Sequence, residues 1–186
     1  LPSLALASDL SGGKPSITKT KVLAHLMREQ QSYSLVAIRI QTGRRHQIRA
    51  HLAHVGHPVV CDPKYERAAR EASRSAEPGS SQGEHDKSTK TWVDEASSRN
   101  LAEADKIWCP RNFLHRYRLE FADVRSIHAI QAPLPEDLKQ ALLHLSPREG
   151  QHCQMSLAQL RGWQTNESME DWDRLPHLLA DEEIVE

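Results

Sequence analysis

Residues 41–65 read QTGRRHQIRAHLAHVGHPVVCDPKY, and they are the most informative part of the chain. A helix is predicted over residues 44–55 because three apolar side chains recur at the spacing of one helix face: Ile48, Leu52 and Val55. Gly56 stands where a left-handed residue would end this helix, and Pro58 cannot continue it. The Asp-Pro pair at residues 62–63 then predicts a turn.

Seven cationic or titratable side chains crowd the same stretch: Arg44, Arg45, His46, Arg49, His51, His54 and His57. Guanidinium groups suit phosphate or carboxylate, and a helix amino terminus adds partial positive charge. The cluster therefore predicts an anion-binding surface, with a solvated basic helix face as the alternative. The last three histidines are spaced by three residues, which makes a metal site a further alternative. Packing or phosphate contact is favoured over metal, because no cysteine or acid completes a ligand set.

The segments on either side predict an α+β fold with a largely antiparallel or mixed sheet and flanking helices. Strands are expected at residues 14–23, 33–40, 113–121 and 124–130, and the third of these alternates as if one face were buried. Helices are expected at residues 135–145 and 155–163. Residues 66–106 lack apolar periodicity and are predicted to be a disordered insertion. The domain boundaries follow as 1–145, with this insertion, and a carboxyl-terminal extension over 146–186 with an acidic end.

Charge is distributed unevenly although the formal net charge is only −1. Residues 14–64 hold nine lysines and arginines against two acids, and residues 166–186 hold eight acids against one arginine. The basic block fits a polyanionic partner. The three cysteines are far apart and odd in number, which predicts free thiols in a reducing, intracellular compartment. No apolar run approaches membrane-spanning length. The sequence begins at Leu1 rather than Met, so an organellar targeting segment stays open.

Two motifs in the opening stretch resemble those of a known family. Residues 42–52, TGRRHQIRAHL, are similar to the T-G-R-x-H-Q-I/L-R-x-H-L motif of the RluA-like RNA pseudouridine synthases. Residues 56–65, GHPVVCDPKY, resemble the family's G-H-P-L/I-x-G-D-x-x-Y continuation. Three further landmarks follow the family's order: GKPSIT at residues 13–18, FLH at 113–115 and APLP at 132–135. The resemblance extends over residues 13–145 and implies the carboxyl-terminal part of a pseudouridine synthase catalytic domain.

The resemblance implies isomerisation of uridine to pseudouridine in RNA without a cofactor or metal, by a protein expected to be monomeric. The family's essential aspartate is expected to pair with Arg49, and a structural salt bridge is the alternative for this arginine. The resemblance also makes the remaining motif residues candidates for RNA contact: Arg44, Arg45, His46, Gln47 and His51. The target base is expected to leave its stack for the reaction.

The sequence departs from the family at the aspartate itself. The family's H-R-L-D-like element and its base-packing tyrosine lie upstream of the matched region, and residues 1–13, including Asp9, do not resemble them. Asp62 resembles the family's turn aspartate and is not expected to replace the catalytic aspartate. Two interpretations stay open: part of a longer enzyme, inactive by itself, or a non-catalytic RNA-binding module of the same fold. Cys61 also replaces the family's glycine, which would strain the turn if a positive φ is needed there.

Overall fold

The computed structural model describes residues 3–8, 15–75 and 101–167. Their strands are β1 (Ser3–Ser8), β2 (Ser16–Arg28), β3 (Gln31–Ile40), β4 (Arg118–Ala122), β5 (Ile127–Gln131) and β6 (Ser146–Pro147). Their helices are α1 (Gln47–His54), α2 (Pro63–Ser75), α3 (Leu101–Asp105), α4 (Glu136–Leu142) and α5 (Cys153–Thr165). The chain divides into two compact units, residues 1–47 with 114–186 and residues 48–113. The predicted α+β class with antiparallel sheets is confirmed.

The first unit is built on a long antiparallel sheet whose centre is β2. Strand β3 pairs along one edge of β2, while β1 and the short β6 follow one another along the other edge. The two strands predicted at residues 14–23 and 33–40 are therefore confirmed, with longer bounds. The register between β2 and β3 shifts between Val22 and Ala24, which marks a bulge. This bulge precedes the end of β2 that pairs with β6.

The core of the first unit forms where α4 and α5 meet the sheet. Helix α5 packs on β2 and β6, and α4 packs on α5. Leu26, Leu138 and Leu142 are almost fully buried there, and the ring of Trp163 packs edge-on against Tyr117 at 5.0 Å between centroids. Burying such large apolar side chains stabilises the fold by about 1.5–3 kcal/mol each. Both helices occupy segments predicted to be helical.

The hairpin of β4 and β5 departs from the prediction of a strand with one buried face. Strand pairing begins at Arg118, so residues 113–117 lie outside the strand. Leu119, Phe121 and Ile130 share one face by register, yet they are 42%, 44% and 56% exposed. Apolar alternation reports which side chains share a face. It does not report whether another element covers that face, and among the described elements β4 and β5 chiefly contact each other.

The second unit contains α1, α2 and α3. The carboxylate of Glu66, in α2, accepts hydrogen bonds from the first two backbone N–H groups of α3, those of Leu101 at 2.9 Å and Ala102 at 2.7 Å. Both ends of the predicted disordered insertion over residues 66–106 are thus helical, at 66–75 and 101–105. The remainder of that prediction, residues 76–100, lies outside the described residues. The acidic end over residues 168–186 lies outside them too.

Candidate functional site

The turn between β3 and α1 is organised by the side chain of Gln47. Its Oε1 accepts hydrogen bonds from the Thr42 hydroxyl at 3.0 Å and from the Arg44 backbone N–H at 3.2 Å. Its Nε2 donates to the Ile17 carbonyl at 2.9 Å and to the Thr18 hydroxyl at 3.1 Å. Gln47 is only 5% exposed. These four bonds fasten the turn to β2, so Gln47 positions its neighbours, and a direct contact from its own side chain to RNA stays a prediction.

Arg44 and Arg45 are both exposed on this turn, and His46 is half-buried. His46 adopts a left-handed conformation with φ of 58°, so α1 begins at Gln47 rather than at Arg44. The predicted helix start at residue 44 is therefore wrong, because Arg44 and Arg45 both precede the helix. The turn presents two guanidinium groups to solvent beside a helix start, which is an arrangement suited to phosphate.

Arg49 and Asp62 form a two-pronged ion pair within the second unit. Arg49 Nε lies 2.5 Å from Asp62 Oδ2, and Nη2 lies 2.7 Å from Oδ1. The Asp62 side chain is fully buried and that of Arg49 is 20% exposed. The hydrogen bond that Arg49 donates to Asp62 raises the pKa of Arg49, which keeps the guanidinium charged. Parallel N–H···O bonds of this kind fix both the position and the plane of a guanidinium.

Asp62 has a second task at the start of α2. Its Oδ1 accepts the backbone N–H of Tyr65 at 3.3 Å, and its carbonyl accepts the N–H of Glu66 at 2.9 Å. Asp62 is thus the amino-terminal cap of α2, and Pro63 occupies the first helical position. The Asp-Pro pair, interpreted from sequence as a turn only, carries the usual signature of a helix start, which the sequence analysis missed.

Two left-handed residues shape the segment between α1 and α2. Gly56 has φ of 82°, and the N–H groups of His57 and Gly56 bond back to the carbonyls of Leu52 and Ala53 at 2.8 Å and 3.0 Å. This is the predicted glycine end of α1, in the paired-bond form. Cys61 has φ of 59°, so the positive φ at the position of the family's glycine is confirmed. A cysteine there carries strain that glycine would not.

Arg49 has donor capacity beyond its bonds to Asp62. A guanidinium has five N–H groups, and among the described residues the pair with Asp62 uses two of them. The guanidinium carbon also lies 4.8 Å from the ring centroid of Tyr65, which is a cation–π distance. The side chain is held on two sides and still partly exposed. It can therefore bind a further carboxylate or phosphate.

The histidines of the segment divide by exposure. His51 is 5% exposed, and burial is the main cause that lowers its pKa, with the neighbouring His54 adding to the effect. A buried, neutral His51 is suited to packing more than to phosphate contact at neutral pH, and its predicted RNA contact stays untested. His54 and His57 are exposed. Among the residues the structure describes, no group of three His, Cys, Asp or Glu side chains is placed to hold a metal ion.

Two findings concern the rest of the described chain. Cys61 and Cys109 are buried free thiols, and Cys153 is a half-buried one. Within residues 3–8, 15–75 and 101–167, no helix has the length and apolar character needed to cross a membrane.

The chain is similar to known proteins over most of its length. The sequence pattern of the RNA pseudouridylate synthase family matches residues 3–54, from β1 to the end of α1. Ribosomal large subunit pseudouridine synthase D of Neisseria meningitidis serogroup B is 30% identical over 164 residues, which cover 87% of this chain and 36% of that protein. This chain thus spans about a third of the length of that relative.

A plant relative matches a shorter region with a higher sequence identity. RNA pseudouridine synthase 5 of Oryza sativa is 47% identical over 55 residues, covering 30% of this chain and 13% of that protein. The solved structure of human RNA Pseudouridylate Synthase Domain Containing 1 has a TM-score of 0.47 and 23% identity, covering 86% of this chain and 59% of that one.

Proposed function

We propose that this chain, which belongs to the RluA-like family of RNA pseudouridine synthases, contributes the arginine side of an active centre that isomerises uridine to pseudouridine in RNA. The observation that carries the proposal is the Arg49 guanidinium, fixed by Asp62 and still partly exposed. The family resemblance assigns the motif position of Arg49 to a partner of the catalytic aspartate. Asp62 holds that arginine ready, and its own carboxylate stays buried.

Arg49 would act on the chemistry through charge. A carboxylate that starts the reaction must be ionised, and a guanidinium within hydrogen-bond reach favours the ionised form. The N–H groups that Asp62 leaves unused would hold that carboxylate in one orientation, since charge-assisted bonds are short and directional. The bonds to Asp62 are already formed, so the arginine is oriented before substrate binds, which lowers the cost of ordering the site.

Arg44 and Arg45 would contact the RNA backbone. Both are exposed on a turn that Gln47 fastens to β2. Because the backbone of this turn is already held, RNA binding would cost conformational entropy mainly at the two arginine side chains. Phosphate contacts from arginine position a nucleic acid without reading its sequence. This turn therefore supports binding to RNA, while the choice of uridine depends on contacts elsewhere.

A second candidate function is RNA binding without catalysis. The observation that favours it is the exposed arginine turn in a chain whose residues 1–13 do not resemble the family's aspartate element. Both candidates predict RNA affinity for this chain. They differ in whether the protein converts uridine, and we expect the 186-residue chain by itself to give no pseudouridine.

RNA affinity is tested by measuring the dissociation constant of the 186-residue chain for a structured RNA at several salt concentrations. Each phosphate contact contributes about 0.7–0.9 to the slope of log affinity against log salt. We expect the double variant Arg44→Ala/Arg45→Ala to bind more weakly and to lose about 1.4–1.8 from that slope. The matched control is Arg111→Ala/Arg161→Ala, at two exposed arginines outside the turn. Equal losses in the two double variants would overturn the assignment of this turn to RNA.

A further inference from the structure

The first unit has an open cleft that the proposed active centre does not use. It lies where β2, the residues after β6 and the start of α5 meet, and its volume is about 280 Å³. Its lining is His25, Arg148, Glu149, Gly150, Gln151 and His152. The volume is near the lower end of the range for ligand pockets, roughly 300–1,000 Å³. A single phosphate-sized group fits such a space better than a large ligand.

Three side chains able to carry positive charge line this cleft, one from β2 and two from the loop between β6 and α5. His25 comes from β2, Arg148 follows β6, and His152 precedes α5. The rings of His25 and His152 are 6.4 Å apart between centroids. Burial lowers the pKa of His25, and the positive charges of His152 and Arg148 lower it further. The three groups therefore repel one another when charged, and an anion between them would relieve that repulsion.

Backbone bonds hold the cleft in place. The Arg148 N–H donates to the His25 carbonyl at 2.9 Å, and the His25 N–H donates to the Ser156 hydroxyl at 3.1 Å. Ser156 is fully buried in α5. Gly150 has φ of 131°, a backbone conformation that residues other than glycine rarely adopt. Its carbonyl accepts the Cys153 N–H at 3.1 Å. The loop that carries Arg148 and His152 is thus tied to β2 by a backbone hydrogen bond and closed by a turn before α5.

The start of α5 adds partial positive charge to the same cleft. This helix has thirteen residues, no side-chain cap at its amino terminus and no acid in its first turn. Uncapped N–H groups at a helix start favour an anion. The Ser34 hydroxyl lies 3.5 Å from the His25 Nδ1, and Glu149 also lines the cleft. Glu149 is exposed and offsets one of the three positive charges, which leaves the cleft cationic when the histidines are protonated.

We propose that this histidine–arginine cleft binds a backbone phosphate of RNA, as a second anchor in addition to the Arg44–Arg45 turn. The inference rests on the proposed function for its RNA partner. Both features are fastened to β2: Gln47 bonds to Thr18, and His25 lies seven residues farther along the strand. Seven residues of strand span about 23 Å. An RNA substrate that contacts both places is thus held over several nucleotides.

The cleft is tested first with inorganic phosphate, by NMR titration of the histidine rings in the 186-residue chain. We expect phosphate to shift the His25 and His152 signals and to raise the pKa of His25, because the anion stabilises the protonated form of that ring. Arg148→Gln should weaken this effect, while Arg161→Gln, at an exposed arginine of α5, should leave it unchanged. Absence of any shift at millimolar phosphate, in a chain that remains folded by circular dichroism, would overturn the anion site.

RNA binding then separates the two sources of phosphate. We expect Arg148→Gln/His152→Gln to lose about 0.7–0.9 from the salt slope of RNA affinity, against no change in the control His144→Gln/Arg161→Gln. If the cleft binds inorganic phosphate but this variant keeps full RNA affinity, the cleft binds small anions and the RNA anchor is wrong, while the proposed function stands. If the Arg44–Arg45 variant also keeps full affinity, the proposed RNA surface fails as well.

Discussion

At the scale of single residues, Asp62 connects two structural tasks. Its carboxylate is fully buried, pairs with Arg49 through two hydrogen bonds and caps α2. A buried charge that loses its partner is costly, because desolvation of the remaining charge is no longer offset. The bonds of Asp62 to Arg49 therefore hold Arg49 in place and also stabilise the second unit. The geometry of the proposed active centre and the stability of the fold are thus linked at this residue.

A double-mutant cycle measures that link. We expect Asp62→Ala or Arg49→Met alone to lower the free energy of unfolding by about 3–5 kcal/mol. The double variant should be less destabilised than the sum of the two, since neither charge is then left alone. Urea unfolding measures all three. The control cycle uses Glu103 and Lys106, an exposed pair at 2.7 Å, whose coupling should be about 0.2–1 kcal/mol. Additive effects for Arg49 and Asp62 would contradict the account.

Cys61 gives the fold a dependence on alkaline pH. Burial is the main cause that raises the pKa of its thiol, from 9.0 to about 12. The folded state therefore favours the neutral thiol, and the unfolded state loses the proton first. The stability that Cys61 contributes is present below pH 9 and is lost as the pH rises from about 9 towards 12. We expect Cys61→Ala to show a smaller loss of stability over this range than the parent protein, measured by urea unfolding at each pH. Equal losses would show that this thiol does not control the effect.

At the scale of elements, the side chain of Glu66 links α2 to the start of α3. The Glu66 carboxylate accepts two backbone N–H groups at the start of α3, although it is 35 residues away from Leu101 along the chain. Negative charge is favourable at a helix start. Glu66 therefore stabilises the start of α3 and holds it beside α2.

Removal of this contact has a predictable cost. Glu66→Ala should lower the free energy of unfolding by roughly 0.5–2 kcal/mol, the usual cost of a lost helix cap. Glu103→Ala, at an exposed position of α3, should change the free energy of unfolding by less than about 0.5 kcal/mol. Thermal and urea unfolding measure both variants. A Glu66 variant as stable as the parent would mean that α3 does not depend on this carboxylate.

The elements differ in how far sequence could predict them. Strands β2 and β3 and the glycine end of α1 followed from local signals, because periodicity and left-handed glycine act within a few residues. The start of α1 was misplaced, since it depends on Gln47 bonding to Thr18, 29 residues away. The Asp-Pro start of α2 was readable and was missed. The partner of Arg49 is also non-local, and the motif alone indicated an upstream aspartate rather than Asp62.

At the scale of the whole molecule, positive charge is concentrated locally although the net charge is slightly negative. The net charge of −1 would not suggest a nucleic-acid partner, yet the arginine turn and the histidine–arginine cleft both lie on the first unit. The chain spans about a third of the length of the Neisseria relative. Catalysis is therefore proposed for the protein as it exists in the cell, and RNA binding for this chain.

The most direct measurement is a map of pseudouridine in cellular RNA, made by mass spectrometry. It compares parent cells with cells whose gene carries Arg49→Lys, Arg49→Met or the control Arg161→Ala, at matched protein levels. We expect at least one uridine to remain unconverted in both Arg49 variants and to be converted in the control, because Arg49 is the residue proposed to hold the catalytic carboxylate. Full conversion at every site in both Arg49 variants would contradict the central claim.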